Sequence, residues 1–255
     1  MTLLLPNVYL FDRESDLLDA ASRLWNRTFE ERLQSGKRFL VALSGGTTPI
    51  PFYQRLAAQE RPDIWERTHL FLVDERFGAP DHRDSNGRMI TETLIRPAGI
   101  PSKNVHLIPL DKKTPEESAR AYEESLQIFF RLGRGEFPEF DFILLGIGTD
   151  GHTASLFPGA PALDEIERAA VAVRLEGDRR DRVTLTLPVF NRAGKIVFLV
   201  RGEEKAEIVH RVIEKREPSL PAARVKPLQE RPIFFLDRKA GRKLSSHLQG
   251  NRGVS

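Results

Sequence analysis

The sequence predicts an α/β fold: an open, mainly parallel sheet with helices on both faces. Three observations carry it. Short apolar runs suit buried strands, amphipathic helical stretches alternate with them, and polar, glycine-bearing loops directly follow several of the runs. Strands separated by helices imply right-handed crossovers and a Rossmann-like arrangement, which keeps its ligands at the carboxyl ends of the strands.

The elements follow in order. Leu17, Leu18, Ala21, Leu24, Trp25, Phe29 and Leu33 share one face at helical spacing, and Gly36 supplies a left-handed stop. RFLVAL (38–43) reads as a buried strand ending in SGGTTP, ahead of a helix over 50–59. HLFLV (69–73) is the next strand, followed by a polar loop and by Ser85 as N-cap of a helix around 89–95. After a short strand near 105–108, Thr114, Pro115 and Glu117 form a capping box with proline at the first helical position, opening a helix to about 132. FDFILLGIG, running to Gly148, is apolar enough to be buried on both faces and belongs mid-sheet. Further strands are expected at 170–174, 183–187, 196–200 and 233–236, with a helix over 203–214. The proline-bearing stretch 217–232 is the candidate hinge, but the same alternation flanks it, so residues 1–240 are expected to form a single domain and 241–255 a frayed tail.

Composition excludes several classes. Of 255 residues, 40% are hydrophobic and 29% charged, the balance of a globular protein. With 39 Lys and Arg against 36 Asp and Glu, the net charge is only +3, and the basic residues are interspersed with acids, which speaks against nucleic-acid binding. The absence of Cys removes thiol nucleophiles, disulfides, thiolate zinc sites and Cys-ligated iron–sulfur clusters. Met1 to Phe11 lacks a basic n-region, and Asp12, Arg13 and Glu14 follow too soon for a signal core or a membrane span, so the cytoplasm is expected.

Three polar loops, each after a strand, should converge. Ser44, Gly45, Gly46, Thr47, Thr48 and Pro49 combine hydroxyls with residues lacking side chains, so backbone N–H groups can reach a phosphate; the alternative is a capped tight turn. The loop lacks the GKS/T ending of a nucleotide P-loop. Asp74, Glu75 and Arg76, through Asp84, Ser85 and Asn86, place two carboxylates and a guanidinium after a buried strand, the guanidinium suiting a carboxylate, a phosphoryl oxygen or an oxyanion. A local ion pair is the competing reading, strongest for Glu75. The third loop, Gly146 to Thr153, satisfies GxGxxG, but Asp150 would repel a pyrophosphate, which disfavours a dinucleotide site. The alternative is a sharp turn presenting Asp150 and His152, the carboxylate orienting an imidazole that acts as general base. His69 and His106, each at a strand start, read as structural. Arg182 and Lys205 could hold phosphate or could be surface charge. No HExxH or GxSxG occurs and the six His show no close ligand pairing, so a site with neither metal nor cofactor is expected.

Taken together, LSGGTTP, VDER followed by DSN, LLGIGTDGHTASLFPG, RVTLTLP, GEEKA and LPAARV resemble the 6-phosphogluconolactonase family, over Leu43 to Val225 and in the family's order. The chain is more distantly similar to glucosamine-6-phosphate deaminases, but Phe157 stands where those carry a Glu. Gly78 and Ala79 replace the family's usual Val-Pro pair. The resemblance implies the sugar-phosphate isomerase/deaminase fold and hydrolysis of 6-phosphogluconolactone to 6-phosphogluconate in the oxidative pentose phosphate pathway, without cofactor. It implies a small-molecule sugar-phosphate lactone as partner, with no nucleic acid and no membrane, and a monomer is expected. Carried over by motif, His152 would deprotonate water, Asp150 would fix its orientation, and Arg76 would favour the oxyanion or position substrate, with Asp74 in the catalytic set. Ser44, Gly45, Gly46, Thr47 and Lys205 would grip the phosphate, joined by Ser85, Asn86 and Arg182 as substrate-binding residues. The remaining alternatives are a deaminase or isomerase and a non-catalytic sugar-phosphate sensor.

Overall fold

A computed structural model describes residues 6–177 and 180–249. Its elements begin with β1 (Asn7–Phe11), α1 (Glu14–Gln34), β2 (Phe39–Leu43), α2 (Ile50–Ala57), α3 (Pro62–Arg67), β3 (Thr68–Leu72) and β4 (Asp74–Arg76). They continue with α4 (Asn86–Ile90), which runs into a π-helical turn, β5 (Val105–His106), α5 (Pro115–Phe130), β6 (Phe142–Leu145), β7 (Ala170–Val173), β8 (Arg182–Leu185) and α6 (Leu187–Arg192). The remainder are β9 (Lys195–Val200), α7 (Ala206–His210), also extended by a π turn, α8 (Pro221–Arg224), β10 (Ile233–Asp237) and α9 (Ser246–Gln249).

Seven strands form one parallel sheet in the order β1-β10-β9-β6-β2-β3-β5. The apolar β6 is its middle strand, as its sequence implied. Register shows how both faces are covered. Val41 pairs with Phe142, so these residues and Phe39 share a face, and there Trp25 of α1 packs edge-on against Phe39 at 4.9 Å and Phe142 at 5.3 Å. Phe71 pairs with Ala42 on the opposite face and meets Phe129 and Phe130 of α5 at 5.2 and 5.7 Å. Trp25 is fully buried, so its truncation to alanine is worth about 3–5 kcal/mol.

Several local predictions hold in detail. Gly36 adopts φ +68° and donates to Leu33 O, ending α1. Thr114 accepts from Glu117 N–H, whereas the Glu117 carboxylate turns to Lys113 N–H rather than closing the capping box on Thr114. Ser85 caps α4 by accepting from Arg88 N–H.

Elsewhere the structure departs from the expectations. The edge strand β1 and the short helices α3 and α6 have too little periodicity to stand out in the sequence. The run expected as a strand over 183–187 ends at Leu185, because α6 begins at Leu187 with Pro188 in its first turn. Asp74 to Arg76 form a strand rather than a loop, and β4, β8 and β7 build a separate antiparallel sheet. The short link between Val173 and Arg182 permits antiparallel pairing but no helical crossover. The expected hinge is packed: Leu220 and Val225 are buried, and Ala222 N–H donates to Gly151 O at 3.1 Å. The expected frayed tail is likewise ordered as far as α9, where Leu244 and Leu248 join the core; residues 250–255 lie outside the described residues. Among the described residues no helix is long and apolar enough to cross a membrane.

Candidate active site

From β2 the chain moves through β3 to β5 on one side of the sheet, and from β6 it moves through β9 to β10 on the other. Strand order therefore reverses between β2 and β6, and a crevice opens beyond their carboxyl ends. A cavity of about 320 Å³ occupies this position. The loop after β2 supplies Ser44, Gly45, Gly46 and Thr47, β4 supplies Asp74 and Arg76, the loop after β6 supplies Gly148 and His152, and Lys205 follows β9. The Ser44–Thr47 loop and the imidazole, distant in sequence, thus face one space.

The loop after β6 is shaped around His152. Its Nδ1 lies 2.6 Å from Asp150 Oδ1, and its backbone N–H donates to the same oxygen at 3.1 Å. An ionised carboxylate only accepts, so Nδ1 carries the proton and Nε2 is left to accept another. Burial pulls the Asp150 carboxyl upward, but the backbone N–H and imidazole of His152 outweigh it and hold that carboxyl below its usual range. Gly148 serves this turn by having no side chain: a Cβ there would lie 2.1 Å from His152 Cε1 and Nδ1. The GxGxxG pattern therefore makes room for an imidazole. Gly151, at φ +87°, lies against Leu220, so the segment before α8 holds the turn from behind.

On the opposite wall, Asp74 is 6% exposed and its carboxylate accepts from Ser155 Oγ at 2.6 Å and Asn86 Nδ2 at 3.1 Å. Asn86, 2% exposed, also donates from Nδ2 to Asp74 O at 2.9 Å and accepts from Arg76 Nη1 through Oδ1. Arg76 donates further to Asp84 O at 2.8 Å. Asn86 thus fixes Arg76 and Asp74 together, and a Cβ on Gly45 would collide with its amide. Glu75 faces away from the cavity and accepts from Arg76 N–H, Asn86 N–H, Gly87 N–H and Ser85 Oγ; burial raises its carboxyl above the usual range despite these donors.

These contacts revise several expected roles. Ser85 caps α4 and bonds Glu75, and Asn86, which also lines the cavity, holds Arg76 and Asp74, so both side chains have a positioning role. The Ser44 hydroxyl donates to Leu144 O at 2.6 Å, leaving the exposed Gly46 and Thr47 as the outward part of the loop. Lys205 lines the cavity and forms no ion pair among the described residues. Arg182 stands outside this cavity, paired across the β4–β8 ladder with Arg76. His69 and His106 are remote from it; their Nδ1 and Nε2 atoms lie 3.0 Å apart and their rings stack. Sequence reasoning missed Ser155, which restrains Asp74, and Tyr53, whose hydroxyl donates to Ser44 O at 2.6 Å. Ser155 lies within the TDGHTAS run, the one signal that could have drawn it in.

The arrangement offers an imidazole with a free lone pair, a fixed guanidinium and a loop of small residues around one cavity, parts that water attack on a phosphorylated ester can use. Residues 12–234 match the family described as glucosamine-6-phosphate isomerases/6-phosphogluconolactonase. A 6-phosphogluconolactonase of Synechocystis is 43% identical over 206 residues, 80% of this chain and 84% of that protein. A human 6-phosphogluconolactonase is 36% identical, covering 82% of this chain and 81% of its own. The crystal structure of 6-phosphogluconolactonase from Thermotoga maritima superposes with a TM-score of 0.77 at 32% identity, over 91% of this chain and 99% of that one. The Trypanosoma brucei enzyme superposes with a TM-score of 0.84 at 26% identity, over 94% and 99%. With the family match over residues 12–234, the relatives' identity and the superpositions all in agreement, the chain belongs to the glucosamine-6-phosphate isomerase/6-phosphogluconolactonase family.

Proposed function

We propose that this chain hydrolyses 6-phospho-D-glucono-1,5-lactone to 6-phosphogluconate, the lactone-opening step of the oxidative pentose phosphate pathway. The observation that carries the reading is His152, held by Asp150, facing the same cavity as the Ser44–Thr47 loop and Lys205. The loop and Lys205 grip the phosphate, which holds the lactone carbonyl within reach of a water beside His152 Nε2. His152 takes a proton from that water as its oxygen attacks C1. Charge gathering on the carbonyl oxygen is met by Arg76, already oriented by Asn86 and Asp84 O. The bond from C1 to the ring oxygen then breaks, and the imidazolium returns the proton to the leaving oxygen. General-base help of this kind is worth about 10²–10⁴ in rate.

Phe157 argues against ring-opening deamination. Its ring lies 4.7 Å from the His152 imidazole, an apolar group where the deaminases use a carboxylate. The test is proton release in a pH-stat with the lactone, corrected for its spontaneous opening, together with ammonia release from glucosamine 6-phosphate. Lactone turnover is expected to fall at least a hundredfold in His152→Ala while 6-phosphogluconate binding persists. Comparable ammonia release, or unchanged turnover in His152→Ala, overturns the reading; binding with no turnover in the unmodified chain makes it a sensor.

A further inference from the structure

Beyond Arg76 lies a second cavity of about 480 Å³, which shares Gly46, Thr47, Arg76 and Asn86 with the first but contains neither His152 nor Lys205. Arg83, Arg180 and Arg182 complete a wall of four arginines, against which Asp84 is the one carboxylate among the described lining residues. The Asp84 carboxylate already faces Arg83 and His82. Arg76 and Arg182 are direct partners across the antiparallel β4–β8 ladder, where like charges repel. The Nε of each is buried without a hydrogen-bond partner, so two donors are desolvated and unanswered. Burial, and then the charge of Arg76, lower the pKa of Arg182, with Asp74, Glu75 and Asp84 opposing. Asp74 and Glu75 are already engaged by Asn86, Ser155, Ser85 and Gly87. Gly78 keeps the rim open, since a Cβ there would lie 2.4 Å from Arg180 Nη1. Repelling guanidiniums with unanswered donors, around a cavity large enough for a ligand, are an arrangement that an oxyanion completes.

We propose that the cavity between Arg76, Arg180 and Arg182 is a second anion site, taking a phosphoryl group in addition to the one held by the Ser44–Thr47 loop and Lys205. Its consequence rests on the lactonase reading: because Arg76 borders both cavities, a phosphoryl group in the second draws on the guanidinium that the hydrolytic cavity uses, so phosphate inhibits with a component that saturating lactone does not remove.

Binding is tested separately from activity. Inorganic phosphate is titrated calorimetrically into the full chain at fixed ionic strength, alone and with saturating 6-phosphogluconate. Two phosphates per chain are expected, one of them surviving 6-phosphogluconate, which identifies free phosphate rather than the sugar acid as the occupant. Lys205→Ala should lose the first phosphate and keep the second. Arg180→Gln and Arg182→Gln should weaken the second about tenfold or more and keep the first. If Arg182→Gln does not fold, Arg180→Gln, which lies outside the strand, decides. A single phosphate per chain, or loss of both together in every variant, overturns the proposal. Failure of lactone hydrolysis with two phosphates bound would instead reject the catalytic reading alone.

Discussion

Replacing Asp150 by asparagine isolates what its charge does for His152. The amide oxygen can still accept from Nδ1–H and from the His152 backbone N–H, so the ring stays oriented while the negative charge is gone. The charge matters chiefly when the imidazole becomes a cation, which happens as water is deprotonated. At 2.6 Å two unit charges attract by about 1.6 kcal/mol at the dielectric of water and by about 6 kcal/mol at an effective dielectric of 20. The side chains of His152 and Asp150 are 34% and 53% exposed, which places the pair toward the weaker limit, about 1.5–3 kcal/mol. At a factor of ten per 1.36 kcal/mol, kcat/KM is expected to fall about 10- to 150-fold, mostly in kcat, because the phosphate loop is untouched. Initial rates in a pH-stat over a range of lactone concentrations, corrected for spontaneous opening, measure this, with thermal unfolding expected to shift by only a degree or two. A fall of less than threefold, or one confined to KM, would refute the assignment of Asp150 as the partner of a transient imidazolium.

Three further outcomes are expected. Gly148→Ala puts a methyl 2.1 Å from the His152 ring and 2.6 Å from Asp150 Oδ1, so turnover should drop about a hundredfold while the circular-dichroism melt barely moves; activity within twofold of the parent would show that the turn tolerates a side chain. Asn86→Ala removes buried hydrogen bonds to Asp74 and Arg76 and should cost about 2–4 kcal/mol by urea unfolding, with a loss of kcat; a change below about 0.5 kcal/mol would remove its role as the link between them. Burial, and then His106, hold the His69 imidazole down at about 4 from 6.5, so the folded chain binds fewer protons than the unfolded chain between these values, and stability falls as pH drops from about 6.5 to about 4. The full shift corresponds to about 3 kcal/mol as an upper bound; His69→Gln should reduce the difference in urea midpoint between pH 7 and pH 4.5, and an unaltered difference would refute it.

Although the segment with Arg76, read as a loop, is strand β4, the sequence by itself determined the alternating elements, the central place of β6, the left-handed stop at Gly36, the cap at Ser85, and the two loops that carry Thr47 and His152. Each of these is written in a local pattern: a periodicity, a cap, or a glycine beside a strand end. Tertiary structure decided which polar groups meet. Ser155 reaches Asp74 across 81 positions, and Ala222 holds the His152 turn from a segment that reads as a hinge. Whether Asn86 and Ser85 bind a ligand or hold other side chains depends on where Glu75 and Arg76 point once β4 pairs with β8. That pairing, which also sets Arg182 against Arg76, is fixed by the register between strands far apart in the chain. Local conformation follows from neighbouring residues, but a hydrogen-bond partner follows from packing, which no short stretch of sequence contains.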